Sequence, residues 1–232
     1  MLSFEEYFSK SLIKFEEARH DVKEISTDLQ QKHGWDIQSD LRIRVFEQIN
    51  NVMQPYSLTL LYGEKCISDD GWVKRVLQPM TVSDVEGVRN TYEVFIRNAF
   101  IYSFTSVVEA CMRSFVRAVS PQNRAVNDFS KVKAALFETL GNSEPVNVNS
   151  ALQLLFSFRN CIHNNGMHYS RSGETTSILY RGINHSFEEA ALQRSGSLDV
   201  LLMILKDVVD LFVFVVEHQK IKSLDIVRDD GT

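Results

Sequence analysis

Turn-forming residues are scarce: the 232-residue chain has ten Gly and four Pro. Strand-rich sandwiches and barrels need such residues at short intervals, so their scarcity argues against these folds and favours long helices. Cysteine is scarcer still. Cys66, Cys111 and Cys161 are odd in number, far apart and contain no CxxC pair, which argues against a disulfide framework or a zinc site. Cys111 and Cys161 lie among apolar neighbours and are expected to be small buried residues. Positive charge is not in excess either. A net charge of −5 argues against coating nucleic acid by bulk electrostatics but leaves room for a local basic groove. No Gly-rich phosphate loop, nucleophile elbow or GxGxxG follows an expected strand, so kinase, hydrolase and dehydrogenase readings lack a site. His20, His33, His185 and His218 share no ligand spacing, and no metal or cofactor is expected.

The segment Met1–Glu6 is acidic and has no apolar signal core, so no secretory leader is expected. The most apolar stretch, Leu198 to Val216, carries Asp199, Lys206, Asp207 and Asp210. It reads as a core helix and not a membrane span, and the expected compartment is the cytoplasm. Its run from Val208 to Val216 is more apolar than one face requires, so the N-terminal helices or a second subunit should cover part of it.

What is present is ordinary globular composition, 44% hydrophobic and 24% charged, enough for a sizeable core. Only Arg228–Thr232 reads as a polar tail. Periodicity and capping signals predict an all-α fold of one domain over 1–232, with a core over 84–222 and a helical extension over 1–82 packed on it. Ser3 and Glu6 form a capping box for a first helix to about Gln31, with Phe4, Phe8, Leu12 and Phe15 at helical spacing. A second helix starts at Ser39 or Asp40 and is expected to end at Pro55. Residues 57 to 82 fit either a short strand or a further helix, with a turn at Ser68–Gly71 and Pro79 at the exit. A box of Ser83 and Glu86 opens a long helix to Val119, stopped at Ser120-Pro121, with Phe95, Ala99, Tyr102, Ser106, Glu109, Met112 and Val116 along one face. A shorter helix spans about Phe129–Leu140 and is closed by Gly141-Asn142. Asn147 or Asn149 can cap the next, which fails at Asn164-Asn165-Gly166. A hairpin or extended excursion follows over 175–187, and a last helix runs from Ser197 to about Ile221.

The chemistry concentrates in Arg159-Asn160-Cys161-Ile162-His163. Arg159 and His163 stand four apart, so on one helix both point the same way, about 6 Å apart at Cβ. A histidine can take the proton of a ribose 2′-hydroxyl or protonate a leaving 5′-oxygen. An arginine fork can hold the phosphate between them. Asn160, Asn164 and Asn165 add hydrogen-bonding groups, and Gly166 permits a sharp exit.

The run Phe158–Gly166 resembles the signature of the HEPN superfamily: an Arg, a polar residue after it, and a His at the end of a helix. The order of elements over 84–222 is similar too. The resemblance implies a helical bundle that dimerises, bringing two motifs to a shared cleft. It implies a metal-independent endoribonuclease of a prokaryotic toxin, phage-defence or abortive-infection system. RNA is then the expected substrate, and an antitoxin or other defence protein a possible partner. Arg159 and His163 take its catalytic positions and Asn160 the polar one. Asn164 and His168 are supporting candidates. Glu109 resembles an acidic residue that orients the motif Arg, although pairing with Arg113 four residues on is an equal alternative. This chain departs from the family in one respect. Four to six residues usually separate Arg and His, whereas only Asn160, Cys161 and Ile162 do so here, and eight separate Arg159 from His168. The short spacing keeps both side chains on one face and leaves two readings open: a member that cuts, and a non-catalytic module that binds RNA, a nucleotide or a partner protein.

Overall fold

The computed structural model describes residues 3–78, 81–120, 128–141, 145–170, 172–193 and 196–229. These form eight α-helices and one two-stranded antiparallel sheet. Helix α1 (Phe4–His33) has the expected capping box: Glu6 N–H donates to Ser3 Oγ at 3.2 Å, and Ser3 N–H to Glu6 Oε2 at 3.0 Å. Gly34, at φ 67°, closes it by donating to Gln30 O at 2.8 Å. Its buried apolar residues, Phe8, Phe15, Val22 and Leu29, recur every seven positions and lie as a narrow seam against α2 (Leu41–Tyr62).

Helix α2 does not end at Pro55. The proline lies on its exposed side, where water can satisfy the carbonyl left without an N–H, and the buried Tyr56 and Leu60 hold the next turns in the core. The stretch from 57 onward is therefore helical, not a strand. It passes through a π-helical turn (Gly63–Ile67) into α3 (Asp70–Val76). Asp69 caps α3, accepting from Gly71 N–H at 2.7 Å, so Ser68–Gly71 starts a helix instead of forming a free turn. Gly63 is needed where α1 crosses, since a Cβ there would come within 2.7 Å of the Phe8 ring.

Helix α4 (Val82–Val119) begins two residues before the expected box. Thr81 has the extended backbone a cap needs and exchanges hydrogen bonds with Asp84, leaving Ser83 and Glu86 inside the first turns. Pro79, Pro121 and Asn142 lie outside the described residues. Then come α5 (Phe129–Thr139), α6 (Val148–His163), the hairpin β1 (Thr176–Tyr180) and β2 (Ile183–Phe187), α7 (Leu198–Glu217) and α8 (Gln219–Lys222). Asn147 precedes α6 in a left-handed conformation and gives it no side-chain cap. The hairpin register runs from Thr176↔Phe187 to Tyr180↔Ile183. Arg181 and Gly182, at φ 48° and 79°, form a two-residue turn that matches the strand twist. The helix expected to reach Ile221 breaks at His218, whose extended backbone ends α7 and whose Nδ1 caps α8.

The helices pack in the order α1, α2, α4, α6, α7, and α7 returns onto α1. One continuous apolar cluster, from Phe8 to Val227, fills the interior. Helix α7 is covered from within the chain: Val208, Leu211, Phe212, Val215 and Val216 are buried, and Val213 and Phe214 half-buried. Part of the exposed apolar surface lies on α4, where Phe95 is 68% and Tyr102 44% exposed. The face traced from Phe95 is thus outward over its first half and buried only by Met112 and Val116. Among the described residues no helix is long and apolar enough to cross a membrane.

Arg42, 1% exposed, joins the two ends of the fold. Its guanidinium donates to both Asp40 carboxylate oxygens and to the carbonyls of Ile221, Lys222, Leu224 and Asp225, and lies 4.4 Å from the Trp35 ring centroid. Asp229, in the expected polar tail, accepts from Gln48 at 2.6 Å.

A second link joins α1 to α7. Glu217 accepts from Lys32 at 2.7 Å and lies 2.8 Å from His33 Nε2. Burial pushes its carboxyl pKa up, but the hydrogen bonds and charges of Lys32 and His33 prevail and hold it down at about 2. A depressed carboxylate stabilises the fold above its ordinary pKa, and that contribution is lost as pH falls from about 4.5 towards 2. In urea titrations the stability gap between the wild type and Glu217→Gln should therefore be constant above pH 5 and shrink below pH 4.5. A gap independent of pH would show that the carboxylate's charge contributes nothing.

Candidate functional site

The exit of α6 is built by a hydrogen-bonded stop. Asn164 ends the helix, Asn165 turns left-handed at φ 55°, and Gly166, at φ 86°, donates to Cys161 O at 2.7 Å. The outgoing chain then pairs with residues 190–193: Gln193 N–H donates to Gly166 O at 2.7 Å and Ala190 N–H to His168 O at 2.8 Å. This fixes the direction in which the last turn of α6 is presented.

Arg159 and His163 sit on successive turns of that end. Arg159 is partly exposed, His163 exposed, and the expected geometry is present. The imidazole stands edge-on to Tyr102 of α4, with ring centroids 5.2 Å apart at 67°. Arg159 Nη1 lies 3.5 Å from Asn160 Oδ1 and has no acidic partner among the described residues. Asn160 and Asn164 are exposed beside it.

Two candidates are placed elsewhere. Glu109 accepts from Arg113, and no hydrogen bond or ion pair joins it to Arg159. His168 is 6% exposed, with Nε2 3.2 Å from Thr176 Oγ1, Nδ1 3.9 Å from Cys161 Sγ, and its ring against Phe187. It ties the α6 exit to the hairpin. Burial pushes the Cys161 thiol up to about 11, which makes it a poor nucleophile.

On the adjoining face of α6 a cleft of about 700 Å³ opens towards α4. Phe158, Ile162 and Asn165 line one side, and Glu93, Arg97 and Asn98 the other. Glu93 Oε1 is held by Tyr7 Oη at 2.6 Å and Arg97 Nη1 at 2.9 Å. Sequence reasoning missed Tyr102 as a partner of His163 and missed this cleft. The available signals were Glu93 and Arg97 at i,i+4, and Asn90 and Asn98 two turns apart on the same helix. Among the described residues no group of three or more His, Cys, Asp or Glu side chains is placed to hold a metal ion. Comparison with family models, curated proteins and solved structures finds no match to this chain.

Proposed function

We propose that the chain is a HEPN-type, metal-independent endoribonuclease of a prokaryotic toxin or phage-defence system, acting as a homodimer with the α6 end as its site. The observation that carries this reading is the exposed pair Arg159 and His163 on successive turns, with Tyr102 against the imidazole. Arg159 holds a phosphodiester and stabilises the charge that develops on its non-bridging oxygens. His163 takes the proton of the 2′-hydroxyl as the 2′-oxygen attacks phosphorus. The bond from phosphorus to the 5′-oxygen breaks, and that oxygen receives a proton from a second imidazole. One chain offers only one such histidine at this site, so His163 of a second copy would supply the other. The exposed side of α4 around Phe95 and Tyr102, next to the motif, is the surface on which such a copy would sit.

Cleavage should persist in EDTA and leave 2′,3′-cyclic phosphate and 5′-hydroxyl ends. Light scattering at micromolar concentration should give twice the chain mass, and Phe95→Asp should halve it. RNA bound but never cut by the unmutated protein would make the chain a binding module instead.

A further inference from the structure

We infer that Tyr102 is a positioning residue for the ribonuclease reaction, its ring holding the His163 imidazole in the orientation from which the proton is transferred. The inference rests on the ribonuclease reading and adds to it a residue of α4, outside the α6 motif.

His163 is the last helical residue of α6, and its side chain is exposed. The backbone restrains such a ring little: on a helix χ1 keeps two wells, and χ2 of histidine is a broad two-fold torsion. Imidazoles that act on protons are commonly oriented by a hydrogen bond to one ring nitrogen. Neither nitrogen of His163 has a hydrogen-bond partner among the described residues. What the imidazole does have is the Tyr102 ring, edge-on with centroids 5.2 Å apart at 67°. Helix α4 can hold that ring in place, because Ile101, Phe104 and Thr105 beside it are buried and stop the helix from turning. An edge-to-face pair orients the imidazole and leaves both nitrogens open, whereas a hydrogen-bonded partner would occupy one of them. The Tyr102 hydroxyl has no hydrogen-bond partner among the described residues either, so the ring is the part of the side chain that is engaged. Such a pair favours the contacting orientation by roughly two- to twelvefold.

The test compares Tyr102→Phe, which keeps the ring, with Tyr102→Leu, which keeps only apolar bulk on a position 44% exposed. In histidine-labelled protein the His163 ring signals, assigned by their loss in His163→Ala, report the contact without RNA. Tyr102→Phe should leave them in place, and Tyr102→Leu should move them towards those of the exposed His20. With RNA, Tyr102→Leu should lower kcat by about two- to twelvefold and leave KM unchanged, and Tyr102→Phe should restore kcat. Tyr102 lies on the surface proposed for the second copy, so light scattering accompanies the kinetics; if Tyr102→Leu dissociates, the spectra alone decide. Signals that Tyr102→Leu does not move overturn the inference. So does an undissociated Tyr102→Leu that cuts at the wild-type rate, or a Tyr102→Phe as slow as Tyr102→Leu, which would assign the effect to the hydroxyl. RNA left uncut by the wild type refutes the ribonuclease reading, and the spectra then decide by themselves whether Tyr102 orients His163.

Discussion

Replacing His163 by Ala is expected to slow RNA cleavage by about two to four orders of magnitude, the usual range for losing a proton-transfer group. Arg159→Ala should fall in the same range, because a guanidinium on the reacting phosphate acts as an oxyanion-type donor. The two effects should not add fully, since both groups act in one step. Folding should hardly change. His163 is exposed and Arg159 has no acidic partner among the described residues, so each substitution should shift stability by no more than about 0.5 kcal/mol. Single-turnover cleavage with thermal unfolding of the same samples separates the effects. Arg159→Lys keeps the charge but not the fork and should recover little activity. Cleavage that survives His163→Ala intact would dismiss this site. His168 is no substitute, because it is buried between Cys161, Thr176 and Phe187.

Arg42→Met should produce the largest loss of stability, about 3–5 kcal/mol. The substitution leaves the Asp40 carboxylate buried without its cation and takes their guanidinium donor from the carbonyls of Lys222, Leu224 and Asp225, while Ile221 O keeps the Leu224 N–H. For a chain of this size that is a fall of roughly 6–20 °C in Tm. Adding Asp40→Asn should recover part of it, because the amide keeps a cap acceptor on α2 without the unpaired charge. Calorimetry of the single and double variants gives the coupling. A drop below about 1 kcal/mol for Arg42→Met would mean that this contact network contributes little.

Much of the fold was legible because its signals are local. The Ser3–Glu6 box, the end of α4 at Val119, the Asn-Asn-Gly exit of α6 and the hairpin all form as their sequences imply. The misreadings arose where distant packing outweighed a local rule. Pro55 is carried through α2 because Tyr56 and Leu60 are buried beyond it. Thr81 and Ser83 offer equivalent capping chemistry, and their sequences do not reveal which one has the extended backbone. In the site, the placement of Arg159 and His163 on successive turns at a helix end was legible from their spacing and the Asn-Asn-Gly exit. Tyr102 was not, since its contact joins residues 61 positions apart on two helices.

The Arg42 contacts also bear on the order of events in folding. The guanidinium and the carbonyls it binds are 179 to 183 residues apart in sequence. During synthesis the α1–α2 pair can form early, while its arginine waits for almost the whole remaining chain. Closure of that contact is then among the late steps, after the main transition state. Weakening it should accelerate unfolding far more than it slows folding, so the protein's lifetime, more than its rate of maturation, is held at this junction.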